Sequence, residues 1–223
     1  MPAEGQPDGG RATSEHAEAV VRRWPWLLPL VAGIFLGAAV FEMMPEALER
    51  AGLSAWLWLA TGLITFVAVR NGLDLLGRHG MAWAATLGIW LHSFLEGAVT
   101  ASSYGINLIT GLIVSIGLIL HLIPEVSAVI ALLVAAGLTI RDALIRNGIT
   151  WFLIVVGFLA VALLLPDLSP AVLGAALAFG AGGFLYLAYA SFRERQLALT
   201  LGLAVAGMGV LLVVVIRLLS TPL

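Results

Sequence analysis

The chain has 223 residues, of which 61% are hydrophobic and only 11% charged, with a net charge of −2. A soluble domain carries about 25% charged residues, so this charge is too sparse to cover a water-facing surface, and the composition predicts an integral membrane protein. There is no cysteine, which excludes disulfides, thiolate metal sites and dithiol redox chemistry.

Residues 1–23 are polar and aperiodic, and read as a disordered tail holding an isolated histidine, His16. Apolar stretches of spanning length then recur to the end of the chain. They predict an all-α polytopic bundle of seven transmembrane helices over residues 24–223, without the alternating short strands of a membrane barrel. The first segment covers about 26–47, carries Gly33-x-x-x-Gly37, and ends in Phe41-Glu42-Met43-Met44-Pro45-Glu46. The second covers about 53–69. A polar loop over 70–80 holds Asp74, Arg78 and His79. The third covers 81–102 and turns at Ser103-Tyr104-Gly105; the fourth covers 107–135. A loop over 138–146 with Arg141, Asp142 and Arg146 leads to the fifth, 148–165, which stops at Pro166-Asp167. The sixth covers 170–191, Arg193-Glu194-Arg195 form a loop, and the seventh covers 197–219.

All the basic residues are arginine. With seven spans, Arg11, Arg22, Arg23, Arg70, Arg78, Arg141, Arg146, Arg193 and Arg195 fall on the amino-terminal side, and Arg50 and Arg217 on the other. The positive-inside rule then predicts a cytoplasmic amino terminus and an external carboxyl terminus, in a cell membrane of the bacterial inner-membrane kind.

Four ionisable side chains fall mid-span. His92 and Glu96 lie four residues apart in the third segment, and His121 and Glu125 four apart in the fourth. On a helix that spacing stacks both side chains on one face. At 1.5 Å per residue the histidines lie about 15 and 21 Å from the same membrane side, near the middle of a core about 30 Å thick. A tight turn makes the two helices antiparallel neighbours, so the pairs can face each other. Charges at that depth are costly and mark ion or proton paths. Imidazole with carboxylate suits zinc, iron(II) or manganese(II), and two ionised glutamates would be balanced by one divalent cation. The bland alternative is a His–Glu hydrogen-bonded network that only pins two helices. Pro124 lacks an N–H for the Leu120 carbonyl, which predicts a kink beside His121. Glu42 and Glu46 at the external end of the first segment read as an anionic mouth or as ordinary interfacial carboxylates; Met43 and Met44 read as packing residues.

At these residues the chain resembles the ZIP (Zrt-/Irt-like) family of divalent metal transporters. His92-Ser93-Phe94-Leu95-Glu96-Gly97 is similar to the motif of the family's fourth helix, and His121-Leu122-Ile123-Pro124-Glu125 to that of its fifth. Ala32-Gly33 through Pro45-Glu46-Ala47 looks like its second helix, and Ala181-Gly182-Gly183-Phe184-Leu185-Tyr186 like its seventh. The resemblance implies that the family's first helix is absent here, which agrees with the orientation from the arginines. Ser93, Leu95, Leu122 and Val126 depart from the residues usual at their positions, and the sixth-helix region around 151–157 has no acidic residue. At most one well-formed site is therefore expected, from His92, Glu96, His121 and Glu125, with Ser93 as a weaker candidate.

The function expected is a permease, not an enzyme, with the metal as substrate: zinc foremost, iron or manganese as alternatives. Metal would displace protons from the ligands, making uptake pH-dependent. The partners expected are the metal ion and the lipid bilayer, with a homodimer implied by the resemblance and no nucleic acid. Two rivals are a seven-helix intramembrane zinc hydrolase, which the absence of an HExxH pattern disfavours, and a non-transporting membrane scaffold or sensor.

Overall fold

A computed structural model describes residues 22–76, 80–164, 169–194 and 196–220, and gives His121 and Ser220 by backbone alone. The described residues are almost entirely helical and contain no strand. Helix α1 (Leu27–Gly37) passes through a π-helical turn (Ala38–Met43) into α2 (Met44–Ala51). Then follow α3 (Ala55–Leu75), α4 (Gly80–Ile106), α5 (Leu108–Ala135), α6 (Ile140–Leu159, extended by a π-helical turn to Leu164), α7 (Pro170–Arg193) and α8 (Leu199–Ser220). Five stretches are long and apolar enough to cross a membrane: Leu27–Leu75, Leu108–Ala135, Ile140–Leu164, Pro170–Arg193 and Leu199–Leu219. This suggests an integral membrane protein. Most of residues 1–23, with His16, and also Arg78, His79, Pro166, Asp167 and Arg195, lie outside the described residues.

Several element boundaries differ from the sequence expectation, each for a local reason. The stretch 70–80 is not wholly a loop: α3 continues to Leu75, with Arg70 Nε 3.0 Å from Asp74 Oδ2 one turn along. Asp74 Oδ1 then accepts the Gly80 N–H at 2.9 Å, tying the start of α4 back to α3. Nor is 138–146 a loop. Thr139 caps α6 by accepting the Asp142 N–H, and its hydroxyl donates to Asp142 Oδ2 at 2.7 Å, so the acidic side chain three residues on holds the capping hydroxyl in place. Ser103-Tyr104-Gly105 do not turn. They extend α4 to Ile106, and Asn107 alone separates it from α5, accepting the Thr110 N–H at 2.9 Å as N-cap. The first segment runs on to Ala51. Pro45 offers no N–H to the Phe41 carbonyl, and the π-helical turn just before it takes up the mismatch. α5 stays helical through Pro124 and ends at Ala135, and the chain turns away at Gly137, whose φ of 93° suits only glycine at low cost.

Glycines set the helix packing. On α4, a Cβ at Gly97 would overlap the Ile154 carbonyl of α6, and one at Gly157 of α6 would overlap the Phe94 carbonyl. The two helices run in the same direction and meet backbone to backbone, as small-residue crossings in lipid do. The same reciprocal arrangement joins α3 to α7 through Gly62 and Gly182, and α1 to α8 through Gly33 and Gly209. α7 runs centrally, against α1, α2, α3 and α4. Its Phe184 is fully buried, edge-on to Phe35 of α1 at 5.2 Å.

Candidate metal centre

α4 and α5 are antiparallel and adjacent, joined through Asn107. His92 and Glu96 sit one turn apart on the buried face of α4. Glu125 projects from α5, which Pro124 deprives of one backbone hydrogen bond at this level. All three side chains are buried, His92 to 2% exposure, Glu96 to 7% and Glu125 to 1%. His92 Nε2 lies 3.0 Å from Glu96 Oε1 and 3.0 Å from Glu125 Oε2. The His92 ring is steadied from its other side by Phe184, with centroids 4.9 Å apart.

These distances constrain the chemistry. An imidazole nitrogen has one in-plane position, a hydrogen or a lone pair, so Nε2 cannot serve both carboxylates in full. A cation between the three atoms could be served by all of them. One ligand atom from each residue lies within 4.8 Å of the others. Tetrahedral ligands at about 2.0 Å from a metal stand about 3.3 Å apart, and cis ligands of an octahedron with bonds of about 2.1 Å stand about 3.0 Å apart. The nitrogen–oxygen spacings here fall at the octahedral figure and just inside the tetrahedral one. The donor set, one imidazole and two carboxylates, is that of a borderline divalent transition metal.

A cavity of about 600 Å³ leads to this group. His92 and Glu96 form its floor, Met43, Val99, Thr100 and Leu177 its wall, and Glu42, Glu46, Glu49, Arg50 and Arg217 its mouth. Glu125 does not line the cavity; it sits behind His92. The mouth lies at the end of the bundle where α2, α4 and α8 finish and α7 begins. At the opposite end the α4–α6 seam is latched. Arg146 Nη1 donates to Thr86 Oγ1 at 3.1 Å, and Trp90 Nε1 donates to the Arg146 carbonyl at 3.0 Å.

Of the residues expected in the site, His92, Glu96 and Glu125 are together. The backbone of His121 lies in α5 one turn before Glu125, and its side chain lies outside the described residues. Ser93 is fully buried but is not among the residues lining the cavity. It lies on α4 between Trp90 and Gly97, both of which touch α6. Glu42 and Glu46 are half-buried at the cavity mouth, and Glu46 is engaged by Arg50, whose Nη2 lies 2.7 Å from Oε1. The mouth is thus of mixed charge. Thr100, 6% exposed in the wall, and Glu49 at the rim were not anticipated; Thr100 lies one turn beyond Glu96, and that spacing was the available signal.

No protein-family model matches the chain, and no curated protein matches it in sequence. The site therefore stands on its own geometry.

Proposed function

We propose that the chain is a ZIP-like permease for a divalent transition metal, zinc foremost with iron(II) and manganese(II) as alternatives. The observation that carries this reading is the convergence of Glu96 and Glu125 on His92, where His92 and Glu96 form the floor of a cavity that reaches one end of the bundle. In this reading α1 with α2, and each of α3 to α8, crosses the membrane once, giving seven spans. The amino terminus is cytoplasmic, the cavity mouth faces outward, and the membrane is a cell membrane of the bacterial inner type. The cation enters past Glu42, Glu46 and Glu49, loses water as it reaches His92 and Glu96, and is held by these with Glu125 and His121. Alternating access then closes the mouth and releases the cation inward where Arg146 now latches the seam. The metal is cargo, and no catalytic step is assigned.

The test is uptake into proteoliposomes loaded with a zinc-sensitive dye. The native protein is expected to give saturable, metal-dependent uptake, and His92→Ala is expected to fall to the level of empty vesicles while still inserting as a folded protein. Undiminished uptake by His92→Ala would overturn the reading. Zinc binding without uptake by the native protein would favour the sensor or scaffold alternative.

A further inference from the structure

We infer that the end of the bundle opposite the cavity mouth carries a site for an anionic phospholipid. Its acyl chain would lie in a groove between α3 and α4, and its phosphate would rest against Arg146. The inference does not depend on the metal reading, only on the bundle being embedded in lipid.

The groove has a volume of about 440 Å³ and is lined by apolar groups, among them Val69, Gly72, Leu73, Trp83 and Leu87. It is open at Gly72, where nothing lies within 4 Å of the position a Cβ would take. Trp83 is shared between the groove and a cation. The Arg146 guanidinium stands over its ring, 4.4 Å from the centroid. Arg146 is half-buried, donates to Thr86 Oγ1 at 3.1 Å, and has no carboxylate within ion-pair range among the described residues. Elsewhere two arginines are held by a carboxylate one turn away, Arg50 by Glu46 at the cavity mouth and Arg70 by Asp74 at the end of α3. A guanidinium fixed by an indole face and one hydroxyl keeps donors for a planar or tetrahedral oxyanion.

The depth is appropriate for a headgroup. Trp83 is three residues into α4 and Arg146 six residues into α6, both at the end where their helices start. Tryptophan and arginine at helix ends occupy the headgroup layer, with the hydrocarbon beginning beyond. An apolar groove running into the hydrocarbon from an unpaired arginine at that level matches a lipid in both halves. A free phosphate would use only the cation, and a neutral lipid only the groove.

Native mass spectrometry of the full chain, released from neutral detergent after incubation with phosphatidylglycerol or phosphatidylcholine of identical chains, reads the site. Phosphatidylglycerol is expected to be retained about tenfold more than phosphatidylcholine. Arg146→Gln is expected to abolish that preference. Gly72→Trp fills the groove while leaving Arg146 and its partners in place, and is expected to lower phosphatidylglycerol retention as far. Glycerol phosphate at millimolar concentration is expected not to displace the lipid. Equal retention of the two lipids by the native protein, or unchanged preference in the folded Gly72→Trp variant, would overturn the inference, as would displacement by glycerol phosphate.

Discussion

Glu125 is the residue with most at stake. It is 1% exposed, comes from the other helix of the pair, and reaches His92 at 3.0 Å. Glu125→Gln keeps the volume but replaces an anionic oxygen by an amide. Zinc affinity, measured by competition with a chelating dye, is expected to fall by at least about 100-fold, beyond the 10–100-fold typical of outer-sphere partners. Unchanged affinity would mean the three-atom cluster is a helix-pinning network and not a ligand set. Ser93 is the contrasting case. Thr61, Thr86, Ser102, Ser103, Ser115 and Ser127 all donate to the carbonyl four residues back, whereas the buried Ser93 hydroxyl has no partner among the described residues. A buried unsatisfied hydroxyl costs about 1–3 kcal/mol. Ser93→Ala is therefore expected to leave zinc affinity within about threefold and to leave thermal stability equal or higher. A tenfold loss of affinity would instead make Ser93 a ligand. His92, Glu96 and Glu125 were legible in the sequence because ionisable groups inside apolar runs have few tolerable environments. The direction in which Ser93 points was not, because it depends on which helix lies beyond it.

Among the elements, the α4–α6 crossing holds the site from behind. Gly97 follows Glu96 directly, and its missing Cβ lets α6 lie against α4 at the level of the carboxylate. Gly97→Val would drive a branched side chain into the Ile154 carbonyl, and the helices would have to separate. Overpacking of this kind costs about 1–3 kcal/mol or more. Because Glu96 is the adjacent residue, the variant is expected to lose zinc affinity together with thermal stability. The same change at Gly148, where nothing lies within 4 Å, is expected to leave both nearly unchanged. The glycine itself was visible in the sequence within the motif His92 to Gly97; its partner Gly157 was not, since nothing in one sequence pairs residue 97 with residue 157. Helix ends were misread at 70–80 and 138–146, where polar residues looked like loop. Arg70 with Asp74 and Thr139 with Asp142 satisfy each other at helical spacing, so charge there lengthens the helix and does not interrupt it.

At the scale of the whole molecule, the apolar composition and segment spacing made the all-helical bundle legible, because helix is the way a chain in lipid satisfies its backbone within one segment. The cavity was not legible, since its walls come from the π-helical turn before α2 and from α2, α4, α5, α7 and α8, and depend on how those helices cross. The direction in which it faces connects the cavity to the arginine asymmetry, and the two can be tested together. The chain has no cysteine, so a single introduced thiol is the only one to react. Glu49→Cys places a thiol at the rim of the cavity, and Asp142→Cys places one on the exposed first turn of α6 at the opposite end. In intact cells, a membrane-impermeant maleimide is expected to label Glu49→Cys and spare Asp142→Cys, with both reacting after lysis. Thr100→Cys, deeper in the wall, is expected to label from outside more slowly than Glu49→Cys and to be protected by zinc bound one turn below it. The reverse pattern, Asp142→Cys labelled in intact cells and Glu49→Cys spared, would turn the molecule over. The open cavity would then face the cytoplasm, and the arginine-rich end would lie outside against the positive-inside rule.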